Sequence, residues 1–174
     1  MPQTPITIEA YDPAWPEHFE AAKATVLDAV GDHVERVDHV GSTAVPGMAA
    51  RPIVDVQVVV PDEERAEACI EPLTGAGFAY QADRDGWHVF EATPDDGQSV
   101  AVSVFRSDSS RWRDAVLFRD YLRAEPEAAR RYESLKRDLA AEHPEDPEAY
   151  RAGKASFVEA AVAEAREREL GPTA

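Results

Sequence analysis

The spacing of apolar residues changes along this chain, and each change marks an element. Between Trp15 and Val30 the apolar positions Phe19, Ala22, Val26, Leu27 and Val30 fall on one face of a helix. The turn Asp12-Pro13-Ala14-Trp15-Pro16 leads into that helix, and Gly31 is placed to stop it. Before it, Ile6 to Glu9 reads as a short edge strand or an extended arm. After it, Val34 to Val40 reads as a strand. Ile53 to Val60 is apolar except at Asp55 and Gln57, which suits a central strand covered on both faces. Pro61 ends that strand, and Asp62 caps a helix running to about Ala76. Pro72 should kink or shorten this helix, and Gly75 and Gly77 mark its end.

Phe78–Tyr80, Trp87–Glu91 and Val100–Phe105 predict three more strands in a meander, with turns at Asp83–Gly86 and Pro94–Gly97. From Ser109 onward the pattern is helical. One segment runs from Ser110 to Ala124, and two others begin at Pro126 and Pro147, where proline suits a first helical position. Gly171 to Ala174 are expected to be disordered. There is no repeat and no linker. The expectation is one α+β domain, with a sheet-bearing part over about residues 1–107 and a helical part over about 108–170.

Composition narrows the class. At 174 residues with 44% hydrophobic positions, the chain can bury a substantial core. No apolar run approaches the ~20 residues that cross a bilayer. Met1 to Pro5 lack the basic and apolar parts of a secretory signal, and the single Cys69 cannot form an internal disulfide. A cytoplasmic location is the resulting expectation. The net charge of −16 disfavours non-specific binding to nucleic acid or to an anionic membrane. It also repels nucleotide phosphates unless local cations or a metal reverse the sign. Three of the 18 basic residues are lysines: Lys23, Lys136 and Lys154. Abundant acid with arginine preferred over lysine points to a high-salt interior that screens the self-repulsion, or to a GC-rich codon usage.

The candidate chemistry lies in Asp38-His39-Val40-Gly41-Ser42-Thr43-Ala44-Val45-Pro46-Gly47 and in Arg51-Pro52-Ile53-Val54-Asp55-Val56-Gln57-Val58. This reads as strand, Gly-Ser turn, irregular segment, and a second strand carrying an acid. Gly41 and Ser42 can offer backbone N–H groups and a hydroxyl to a phosphate, or simply make a tight turn. Asp55, in an apolar strand, needs a partner: a metal beside the same phosphate, or a salt bridge to Arg51 or His39. The second acid that metal-dependent nucleotidyl transfer uses two residues later is replaced here by Gln57. Glu91 on a neighbouring strand is another acid, best read as solvent-facing. His39 is placed to bond Asp55 or the turn. His18, His33, His88 and His143 show no ligand spacing, and Cys69 reads as core. Tyr132/Lys136 and Tyr150/Lys154 each share a helix face, so that each tyrosine can stack on a ring while the lysine reaches a phosphate; amphipathic packing explains them equally well. Arg119 and Arg123 repeat the four-residue spacing.

Together with Tyr11-Asp12-Pro13-Ala14-Trp15, Phe118 to Arg123, Tyr132 to Lys136 and Tyr150 to Lys154, these motifs resemble the GrpB family from about Tyr11 to about Ala165. The resemblance implies a nucleotidyltransferase-like mixed β-sheet with flanking helices and a helical C-terminal part. It further implies an enzyme that moves a nucleotidyl group from a nucleoside triphosphate to a small acceptor with Mg²⁺. Gly41 and Ser42 would hold phosphate and Asp55 the metal. Arg119, Lys136 and Lys154 would neutralise charge, with Tyr132 and Tyr150 beside them. The family's His-x-His pair is missing, since its strand reads Ala101-Val102-Ser103 here. Gln57 and that missing pair favour the alternative, a catalytically degenerate relative kept as a ligand-binding or interaction module.

Overall fold

Val54, Val56, Val58 and Val60 alternate along strand β2 (Ile53–Val60), and their side chains are at most 1% exposed. They point into a core shared with helix α1 (Trp15–Val30), whose Phe19, Ala22, Val26 and Val30 supply its apolar stripe. Asp55, Gln57 and Val59 face the other way, which is why the strand carries two polar residues in an apolar run. A computed structural model describes residues 4–84, 86–93 and 97–168 of the chain. Among the described residues the sheet has five strands: β1 (Arg36–Val40), β2, β3 (Ala79–Arg84), β4 (Trp87–Ala92) and β5 (Ser99–Arg106), in the order β1-β2-β5-β4-β3. β2 and β5 are parallel, and the other three pairings are antiparallel. The architecture is α+β, with helices on both sides of a mixed sheet.

Local signals work as their chemistry requires. The Asp62 carboxylate accepts from Arg65 N at 2.9 Å and opens helix α2 (Glu63–Ala68). Pro126 and Pro147 are the first residues of α5 (Pro126–Glu142) and α6 (Pro147–Glu167). Of the two readings of Ile6 to Glu9 the arm holds, not the edge strand, and Glu9 makes one isolated bridge to Ala50. The helix after Asp62 is two short ones, α2 and α3 (Ile70–Gly75), broken at Cys69. A continuous helix would press the Pro72 ring onto the carbonyl of Ala68; the break puts Pro72 in a first turn, where no N–H is needed. Gly31 ends α1 through a 3₁₀ turn with φ −52°, so its freedom to adopt positive φ is not used. The turns expected at 83–86 and 94–97 involve residues 85 and 94–96, outside the described residues, as is the C-terminal tail at 171–174.

Helix α4 (Ser110–Ala124) covers the face of the sheet opposite α1. Its Trp112 and Val116 pack on Val40, Val59 and Phe105. α5 and α6 stack beyond it, and Leu117, Tyr121, Tyr132 and Val162 enclose Val45 and Met48 from the segment that follows β1. That segment is therefore held between sheet and helices. Gly153 brings α6 against α5, since a Cβ there would overlap the side chain of Leu139. Among the described residues no helix is long and apolar enough to cross a membrane.

Candidate functional site

β1 ends at Val40, and the chain turns at once. Gly41 has φ 75°, and Ser42–Ala44 form a 3₁₀ turn. Val40 pairs with Asp55, so the turn lies over the Asp55 side chain. A Cβ on Gly41 would overlap Oδ2 of Asp55 and sit 3.2 Å from its Cγ. Both the backbone conformation and this approach require glycine. The turn is fixed from behind. Arg123 donates to the Ala44 carbonyl at 3.0 and 2.8 Å, and Arg119 donates to the His39 carbonyl at 3.1 Å. His39 stacks on Phe19 with centroids 4.8 Å apart and shares a 2.9 Å hydrogen bond with Thr43. Burial, with the charges of Arg123 and Arg119, pushes its pKa down to about 4, so the ring is a neutral prop for the turn.

The open side of the turn faces a cleft of about 230 Å³. Gly41, Ser42, Asp55, Tyr132, Lys136, Tyr150 and Lys154 all line it. The two Tyr/Lys helix faces thus meet at the Gly-Ser turn, with Tyr132 and Ser42 lining the same cleft. Arg119 is not brought there. Its guanidinium lies under the turn, 2.9 Å from Asp120 and 3.6 Å from Asp38. Arg51, read from sequence as a salt-bridge partner for Asp55, and Arg151, not singled out from sequence, join the cleft instead. The three-residue spacing between Arg151 and Lys154 on α6 could have suggested Arg151; Arg51 lies in a loop and gave no periodic signal.

Charge is the cleft's main property. Arg51, Lys136, Arg151 and Lys154 line the cleft with Asp55 in a chain of net charge −16. Lys136 is 1% exposed; its Nζ donates to the Ala49 carbonyl at 2.5 Å and sits 5.1 Å from the Tyr132 ring centroid. Lys154 lies 4.3 Å from the Tyr150 ring centroid. Burial, helped by the charge of Lys154, lowers the Lys136 pKa to about 7. Burial and Arg51 lower that of Lys154 to about 8, with Asp55 opposing. Burial raises Asp55 to about 6 against the pull of Lys154 and Arg51. Burial also raises the Tyr132 hydroxyl, with Tyr150 and Asp55 adding to it.

Such a turn, beside a strand acid and under a helical layer, has relatives. The GrpB family, described as "GrpB protein", matches residues 5–164. The chain belongs to the GrpB family. It is 38% identical to a UPF0157 protein of Streptomyces coelicolor, over 77% of this chain and 70% of that one. The crystal structure of conserved protein GrpB from Enterococcus faecalis superposes with a TM-score of 0.82 at 28% identity, covering 94% of this chain and 99% of that one. The Cid1 poly(U) polymerase, solved with MgGTP bound, superposes at 0.54 with 16% identity, over 77% of this chain and 44% of that one. This GrpB chain shares the nucleotidyltransferase-like fold and spans less than half of Cid1.

The metal half of the site is different. Among the described residues no group of three or more His, Cys, Asp or Glu is arranged to hold an ion. Asp55 is faced by Lys154 and Arg51. Glu91 lies in the same cross-strand row through Ala101, but it is exposed and two strand spacings, about 10 Å, from Asp55. Ala101 and Ser103 stand beside Asp55 and Gln57 and offer no imidazole. The residues present do not fit a resident Mg²⁺. Gln57 is buried, and its amide donates to the Trp112 carbonyl at 3.1 Å, tying α4 to the sheet. Restoring an acid there should therefore harm the fold. Gln57→Asp is expected to lower stability at pH 7 by about 3 kcal/mol, because it buries a carboxylate and removes the donor to Trp112. Urea denaturation checks this. The raised carboxylate pKa predicts a smaller loss in acid, where the protonated form is present; an equal loss at pH 4 and pH 7 would contradict the account.

Proposed function

We propose that this GrpB chain binds the phosphate groups of a nucleotide-type small molecule in the Gly41–Ser42 cleft, with its own cations carrying the neutralising charge. The observation behind this reading is the convergence of Arg51, Lys136, Arg151 and Lys154 on the turn in an otherwise acidic protein. Two ammonium groups with lowered pKa values, Lys136 buried and Lys154 half-buried, are an unfavourable feature of the unliganded fold. An anion between them offsets that cost, and a phosphate also accepts from the turn's backbone and from Ser42. The nucleotide part of the proposal is supported by the fold shared with Cid1, whose structures hold MgGTP and a UTP analogue.

A second reading, nucleotidyl transfer to a small acceptor, is favoured by Asp55. Its carboxyl lies against the turn with a pKa near 6, so it can take the proton of an acceptor hydroxyl as that oxygen attacks the α-phosphorus and pyrophosphate leaves. Titration calorimetry with ATP, GTP, CTP and UTP, each with and without Mg²⁺, tests the first reading. Binding is expected without Mg²⁺, and Lys154→Met should weaken it by about 2 kcal/mol, the size of one charge-assisted hydrogen bond. Failure to bind any nucleotide under either condition would end the proposal. Pyrophosphate release on adding small alcohols or amines separates transfer from binding alone.

A further inference from the structure

We infer that the ligand of this site is bipartite, with an uncharged, ring-bearing body lodged in a second lobe beside Asp55; the inference rests on the phosphate reading above. The second lobe measures about 470 Å³, twice the cationic one, and the two share Gly41, Asp55, Phe118 and Tyr132 as their common boundary. A molecule whose phosphates reach Lys154 and the turn is therefore continuous with this space. The volume lies within the ~300–1,000 Å³ usual for small-molecule sites.

The lining sets the chemistry of what enters. Val40, Phe105, Phe118, Tyr132 and Val158 make it apolar and aromatic. Of its charged groups, Asp114 pairs with Arg166, Asp55 is faced by Lys154 and Arg51, and the exposed Arg111 lies 4.3 Å from the Trp87 ring centroid. The Gln57 amide is engaged by Trp112. A charged body would gain no strong partner there and would lose its hydration, whereas a planar ring packs against aromatic side chains. Ser103 and Asp55 can meet hydroxyl or amino groups on such a body. A nucleoside has these properties, whereas bare polyphosphate can use only the first lobe.

Ser103→Trp, on the sheet side of the lobe, and Ala115→Phe, on the α4 side, test this by filling it from two directions. Thermal melting identifies which variant remains folded, and either one suffices. Calorimetry then compares ATP with inorganic tripolyphosphate. Wild type is expected to bind ATP about tenfold more tightly than tripolyphosphate, the effect of one base stacking on an aromatic group. Filling the lobe should bring ATP down to the tripolyphosphate level and leave tripolyphosphate unchanged. Equal binding of the two by wild type, or a preference that survives both variants, overturns the second lobe while leaving the phosphate site intact. A variant that weakens both ligands equally also overturns it, since the lobes would then not be separable. No binding of either ligand by wild type removes the phosphate reading itself.

Discussion

Gly41→Ala is expected to destabilise this protein by about 4 kcal/mol, and roughly half of that loss should vanish when Asp55 is first cut back to alanine. Two separate costs act at Gly41. Its φ of 75° disfavours any L side chain by about 1–2 kcal/mol. The new Cβ would also overlap the Asp55 carboxylate, which is held on the rigid strand β2 and cannot swing far aside. Removing the carboxylate relieves the second cost and leaves the first. Urea denaturation of wild type, both single variants and the double variant gives the coupling directly. Equal costs of Gly41→Ala in the two backgrounds would show that backbone strain alone demands the glycine. The same cycle reports on ligand binding, because the displaced turn no longer presents its N–H groups to the cleft.

Anion affinity should rise steeply as pH falls from 9 to 6. Lys136 and Lys154 titrate near 7 and 8 in the free protein. A bound dianion holds both ammonium groups charged, so binding above these values takes up protons. Each proton taken up adds about one logarithmic unit of affinity per pH unit. Sulfate is a suitable probe because it does not itself titrate in this range. Lys136→Met should flatten the profile toward a single proton, with its midpoint near 8. A flat wild-type profile would show that the lysines are charged before the anion arrives.

Without ligand the same groups act on stability, with signs set by their direction of shift. The contribution of the lowered lysines is present above their ordinary value of 10.5 and is lost as pH falls through about 8 and then about 7. The raised Asp55 acts oppositely, with a contribution fully present below 3.8 and lost as pH rises through about 6. His39 adds a contribution present above 6.5 and lost as pH falls through about 4. Anion binding is thus most favourable in the range where the empty cleft is under most electrostatic load.

What could be read along the chain was what neighbouring residues decide among themselves. The helix starts at Pro126 and Pro147, the Asp62 cap and the apolar run of β2 all follow from residues within a few positions of one another. Gly41, Ser42 and Asp55 were legible because a strand, a turn and a strand bring them together over a short stretch. The four-residue spacing of Tyr132/Lys136 and Tyr150/Lys154 showed that each pair shares a helix face, and the folded chain points both faces at the turn. The same spacing held for Arg119 and Arg123, yet these grip the turn from beneath. Periodicity defines a face but not its direction, which depends on how α4, α5 and α6 dock on residues some 80 positions away. The strand order β1-β2-β5-β4-β3, with its parallel β2–β5 pair, was likewise beyond local pattern. So was the role of Gln57, whose partner is a backbone carbonyl 55 residues further along the chain. Only tertiary packing gathered Arg51, Lys136, Arg151 and Lys154 in one cleft, because the charge of a cleft depends on distances in space that sequence separation does not encode.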